Sequence, residues 1–114
     1  MMKKYHFKGY QMYFTTAKMS KKIIREIKIE ALIKNIKLQD FIEIMIRRYN
    51  DDILKILKAK VIDSKIKKEL ETKELDLCFL LSSTTKKWIK VKKLKIREVV
   101  IVSFYIYKKE ELNK

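Results

Sequence analysis

The apolar spacing of the stretch from Tyr13 to Tyr49 changes period within a few residues, and that limits the folds open to this chain. Residues 13–19, Y-F-T-T-A-K-M, alternate loosely, as a short exposed strand does. Residues 20–35, S-K-K-I-I-R-E-I-K-I-E-A-L-I-K-N, place apolar side chains at helical spacing, and residues 36–49, I-K-L-Q-D-F-I-E-I-M-I-R-R-Y, repeat that spacing after a single asparagine. Ser20 offers a hydroxyl to an orphan N–H of the first helical turn, and Asn35 tolerates the left-handed conformation that ends a helix. The order is strand, helix, tight turn, helix.

Within the candidate strand Tyr10–Met19, one face carries Phe14, Thr16 and Lys18, and the other Tyr13, Thr15, Ala17 and Met19. The second is more apolar next to the helix and is expected to face the core. In the first helix Ile23, Ile24, Ile27 and Ala31 share a face that Ile29, Leu32 and Ile33 widen, so burial against several neighbours is expected. Leu38, Phe41, Ile42, Met45, Ile46 and Tyr49 form the stripe of the second, which either runs past Tyr49 or restarts at Asp51 or Asp52.

Downstream, residues 63–74 are highly charged and read as a solvated helix or linker, and Leu75 to Leu81 is a short apolar run. S-S-T-T at 82–85 is the clearest loop signal. Lys87 to Lys95 alternates basic and apolar residues, and Val99 to Tyr107 is rich in β-branched and aromatic side chains on both faces. These two segments read as paired strands with a turn near 95–98. No internal repeat is visible.

Lys and Arg outnumber Asp and Glu 29 to 14 in 114 residues, a net charge of +15. Such an imbalance favours a polyanionic partner, nucleic acid before an anionic membrane surface. Lys, Ile, Asn, Tyr and Phe have A/T-rich codons, and the chain has one Gly and no Pro, so base composition accounts for part of the excess. The single cysteine, Cys78, excludes an internal disulfide and, lying in L-D-L-C-F-L-L, reads as a buried structural thiol. His6 is the only histidine and reads as a solvated residue of a basic N-terminal arm, which removes His-based catalysis and most zinc sites from consideration. The carboxylates Glu69, Glu71, Glu74 and Asp76 stand without a nucleophile–base or ligand spacing, so no enzyme, metal or cofactor is expected. The longest apolar run, V-V-I-V-S-F-Y-I-Y, is too short to span a bilayer, and no signal peptide is visible, so a cytoplasmic protein without membrane association is expected.

Residues 13–50 resemble the ribbon-helix-helix family of Arc-, MetJ- and CopG-like regulators. N-I-K-L-Q-D-F-I, residues 35–42, is similar to the family's turn and second-helix start, commonly G-I-S-x-S-E-L-I, and I-R-R-Y at 46–49 is similar to its second-helix end. Ser20 stands where many members have proline, Lys37 where a capping Ser or Thr is usual, and Glu26 and Glu30 near positions often apolar. The resemblance implies a dimeric ribbon-helix-helix unit over residues 1–60; with the reading of 61–114 as a helical linker and a C-terminal β-hairpin, the fold expected is α+β. It implies a homodimer whose paired strands enter the major groove of double-stranded DNA, with Phe14, Thr16 and Lys18 facing the bases. It also implies a phosphate held at the second helix's start, around Lys37 and Leu38. The function expected is that of a sequence-specific repressor, or of an accessory factor for plasmid or viral replication, partition or transfer.

Three alternatives stay open at this level. A winged helix-turn-helix would use the basic segment 86–107 as its wing, with Lys87, Lys90 and Lys92 on phosphates. A small protein-interaction module, inhibitor- or antitoxin-like, would use Val99–Tyr107 as apolar strands against a protein partner. Two amphipathic helices of an unrelated small fold would have no DNA face at all.

Overall fold

Side chains that alternate along residues 11–19 need a partner strand and a core beneath them, and both come from the same chain. The structure, a computed structural model, describes residues 4–7, 10–59 and 62–113, with side chains for 11–59 and 62–113. In chain order the elements are β1 (Lys4–Phe7), β2 (Tyr10–Met19), α1 (Lys21–Ile33), α2 (Leu38–Arg48), α3 (Asn50–Ala59), α4 (Ser64–Glu71), β3 (Leu75–Ser82), α5 (Ser83–Val91) and α6 (Ile96–Leu112). The three strands form an antiparallel sheet in the order β1-β2-β3. Among the described residues β1 runs beside residues 10–13, whereas β3 pairs with residues 12–19, from Met12 opposite Ser82 to Met19 opposite Leu75. Thr15, Ala17 and Met19 of β2 and Leu77, Phe79 and Leu81 of β3 are buried against the helices.

This pairing overturns the expected fold. β2 is joined to β3 of its own chain, so the two-chain ribbon of a dimeric N-terminal unit is not formed through it. Residues 83–91 and 96–112 are helices, so there is neither a C-terminal hairpin nor a wing at 86–107. The reason lies in α6, the central helix of the core: it packs on α2, α3, α4 and β2, and Val99, Val100, Ile101, Val102, Ser103, Phe104 and Tyr107 are all buried. A helix enclosed on every side is apolar on every side, and its β-branched residues then look like a buried strand. S-S-T-T is not a loop either. Ser82 caps α5, its hydroxyl accepting the Thr85 N–H, and Ser83–Thr85 form the first turn. The basic arm is interrupted by β1, and the side chain of His6 lies outside the described residues.

The fold also contains a repeat that the sequence hides. β2, α1 and α2 form one strand–helix–helix unit; β3, α5 and α6 form a second. Ser20 and Ser82 cap the first helix of each, both accepting a backbone N–H three residues on. Each first helix ends on a left-handed residue, Asn35 (φ 55°) or Lys93 (φ 58°). Both ends are closed by the paired bonds of a Schellman turn: Asn35 N–H to Leu32 O and Ile36 N–H to Ala31 O in one, Lys93 N–H to Lys90 O and Leu94 N–H to Ile89 O in the other. Each second helix then starts after a lysine in extended conformation, Lys37 or Lys95. The units differ in helix length: α5 has 9 residues against 13 in α1, about one turn fewer, and α6 has 17 against 11 in α2.

The units interlock. On one side the first helix α1 is tied to α6 by Lys108 Nζ to Glu26 Oε2 at 3.0 Å and by the Tyr107 hydroxyl donating to Glu30 at 3.0 Å. On the other, α5 is tied to α2 through Glu43. Between them α2 meets α6 in an aromatic cluster, with Phe41 edge-on to Phe104 and Tyr107 at centroid distances of 6.5 and 5.1 Å. Phe104 is 2% exposed, and removing its ring would cost about 3–5 kcal/mol.

Candidate nucleic-acid interface

A strand pair with one face buried offers its other face to solvent, and here that face is built from both units. Phe14, Thr16 and Lys18 of β2 and Asp76 and Cys78 of β3 point outward and are exposed; Leu80 completes the set half-buried. The expected phase of β2 is the one observed, with Thr15, Ala17 and Met19 inward. Cys78 corrects the sequence reading: it is exposed, because in the alternation of β3 it falls between the buried Leu77 and Phe79. Across the strands Phe14 faces Leu80, Thr16 faces Cys78 and Lys18 faces Asp76.

Phe14, at 54% exposure, is a large aromatic ring on an outward strand position. Beyond Phe14, Tyr13 is half-buried, donates its hydroxyl to Gln11 Oε1 at 2.7 Å and has the ammonium of Lys86 5.6 Å from its ring centre. At the opposite end Arg97, in the first turn of α6, donates Nε–H to the carbonyl of Lys18 at 2.8 Å and Nη2–H to the carbonyl of Thr72 at 3.2 Å. That fork fixes the start of α6 beside the end of β2 and brings Lys95 with it.

The second helices begin alike. Neither Lys37 nor Lys95 makes a side-chain cap, so the first-turn amides of α2 and α6 have no capping side chain over them. A carboxylate stands in each first turn, Asp40 in α2 and Glu98 in α6, and already answers the helix dipole. An anion held there would depend on the lysines rather than on bare amides. Lys37 is exposed, and Leu38, the first residue of α2, is half-buried among apolar neighbours and serves packing. Lys87 and Lys90 are exposed on the outer side of α5, opposite Thr85 and Ile89, and Lys92 caps its end. The residues singled out from sequence therefore lie in three places: Phe14, Thr16 and Lys18 on the strand face, Lys37 and Leu38 at the start of α2, and Lys87, Lys90 and Lys92 on a helix instead of a wing.

Sequence reasoning missed Asp76, Cys78 and Leu80 as the other half of the face, and Arg97 beside it. Two short echoes are all the sequence offers. K-L-K-I at 93–96 parallels N-I-K-L at 35–38, and L-S at 81–82 parallels M-S at 19–20. Among the described residues no group of three or more His, Cys, Asp or Glu is placed to hold a metal ion, and no helix is long and apolar enough to cross a membrane. No protein-family model, curated protein or solved structure matches the chain.

Proposed function

We propose that this chain binds double-stranded DNA through the outward face of β2 and β3, as a sequence-specific repressor or an accessory factor in replication, partition or transfer. The observation that carries the reading is the width of that face. Among the described residues, 14–19 and 75–80 form a stretch two strands wide with exposed side chains on one side. The major groove admits a two-stranded ribbon and presents there a donor, acceptor and methyl pattern distinct for each base pair. Lysine, threonine, aspartate and an aromatic ring cover guanine acceptors, the cytosine amine and the thymine methyl. The net charge of +15 supplies attraction to phosphates that does not depend on sequence. The resemblance of residues 13–50 to ribbon-helix-helix regulators supports the reading, and the same strand–helix–helix order recurs in residues 75–112.

Titrating the purified chain with duplex DNA at several salt concentrations tests it. Affinity should fall steeply with salt, and a duplex selected from a random pool should bind about 10³-fold or more tighter than an arbitrary one. Binding that is indifferent to sequence, or absent, overturns the reading.

One observation favours a second reading, docking to a protein. Ile29, Leu32 and Ile33 of α1 are 47, 79 and 70% exposed on its outer side. They replace Val99–Tyr107 as the apolar surface open to a partner, because that segment is buried in α6. A complex that survives nuclease treatment and is lost on Leu32→Asp would favour it.

A further inference from the structure

We propose that a single chain reads a single, non-palindromic DNA site in one orientation, with a G·C pair specified at one end of the strand face and thymine methyls at the other. This rests on the DNA-binding reading above and deepens it. Thr16 and Cys78 face each other across the strands, and each stands four residues before the serine that caps its own unit. The local two-fold relating the two units therefore passes through this pair. Moving outward from it, Phe14 in one unit corresponds to Asp76 in the other, and Lys18 corresponds to Leu80.

Two identical strands would put the same side chains on both sides of that axis, and protein symmetry of that kind is mirrored in palindromic sites. The face here has unlike ends. One end pairs Lys18 with Asp76, with Arg97 bonded to the Lys18 carbonyl beside them. Lysine suits the two guanine acceptors and aspartate accepts from the cytosine amine, so this end matches a G·C pair. The other end pairs Phe14 with Leu80, which have no hydrogen bond to offer and match the thymine methyl. Both halves of the reading surface lie in one chain, so no second copy is needed to complete it.

Selecting duplexes from a random pool with the unaltered chain, then weighing the complex by sedimentation, tests the proposal. The expected result is one chain per duplex on a site with G·C at one end and A·T at the other. Replacing thymine by uracil at the A·T end should weaken binding about fourfold per methyl in contact, and at the G·C end not at all. The double variant Phe14→Asp, Leu80→Lys makes the two ends of the face alike and should bind a palindrome of two G·C ends at least about tenfold tighter than the unaltered chain does. Both positions point outward; even so, the selection and the uracil series decide the matter if the variant does not fold. A palindromic selected site, two chains per duplex, or equal sensitivity to uracil at both ends overturns this proposal while leaving DNA binding intact. Failure to bind any duplex overturns both.

Discussion

Glu43 of α2 accepts the backbone N–H of Ser82 at 2.6 Å and thereby caps a helix that belongs to the other strand–helix–helix unit. In a capping box the carboxylate that reaches back to the cap residue's N–H comes from the third position of the same helix. That position is Thr85 here, and its hydroxyl instead donates to the second Glu43 oxygen at 2.7 Å. Arg47 Nε–H, one turn along α2, donates to the same oxygen at 3.0 Å. Glu43 is buried, yet both its oxygens are used, which is the condition under which a buried carboxylate is tolerated.

Removing it should therefore loosen the join between the units. Glu43→Ala leaves a buried amide and a buried hydroxyl without an acceptor and should cost about 3 kcal/mol. Glu43→Gln keeps one acceptor oxygen and should cost about half that, while Ser82→Ala, which loses the hydroxyl cap, should cost about 1 kcal/mol. Midpoints of urea denaturation at constant slope check the order.

Lys93 and Asn35 share a left-handed conformation, but only Asn35 is of a residue type that visits it readily. Lys93→Gly should raise stability by about 0.5–1 kcal/mol, since the relief of side-chain strain exceeds the entropy glycine adds to the unfolded chain. Asn35→Gly should change it by less. A loss of stability in the Lys93 variant, read by the same denaturation, would show that the long side chain contributes more than its backbone costs.

The difference between those two turns also explains how much of the fold was legible. Residues 10–49 carried each boundary in plain residue types: alternating threonines and aromatics, a capping serine, an asparagine that can turn left-handed, then a regular apolar stripe. The second unit repeats the element order with lysine at the turn, a first helix about one turn shorter and a longer second helix, so no fixed sequence period relates the two. The middle of its last helix, residues 99–104, is buried on every side because the core closes on it, and Val99–Tyr107 then read as strand. Glu26 and Glu30 looked misplaced beside apolar positions of α1. Their partners, Lys108 and Tyr107, lie far along the chain and only the fold brings them near. On the strand face the phase of β2 was legible from Ser20 backwards; that β3 supplies the other half was not, because the pairing spans most of the chain.

Two buried tyrosines should give the chain an alkaline limit. Burial, reinforced by a hydrogen bond to Glu110 at 2.6 Å, pushes the Tyr49 phenol up to about 12. Burial likewise raises Tyr107, which also donates to Glu30. A phenol with a folded-state pKa above its unfolded value near 10 holds its proton more tightly when folded. Its stabilisation is complete below about pH 10 and is lost as the pH rises through the folded value. Stability should thus fall from about pH 10 upward, and more steeply than in a Tyr49→Phe, Tyr107→Phe variant. Lysine deprotonation acts on both chains alike, so the difference between their denaturation midpoints isolates the phenols.

The strand face and the two second-helix starts should separate cleanly in DNA binding. Lys18 points outward where base edges would lie, so Lys18→Ala should weaken binding to the selected duplex by about 1–3 kcal/mol and relax specificity at one position. Binding to arbitrary DNA should change little. Lys37 and Lys95 are equivalent by the internal repeat, and each stands beside an uncapped first turn that already holds a carboxylate. Their contribution is then charge alone. Lys37→Ala and Lys95→Ala should each weaken binding by the same factor for every sequence and lower the slope of affinity against salt by about one. Unequal effects of the two would mean that the duplex does not follow the two-fold through Thr16 and Cys78, and that the DNA lies against one unit more than the other.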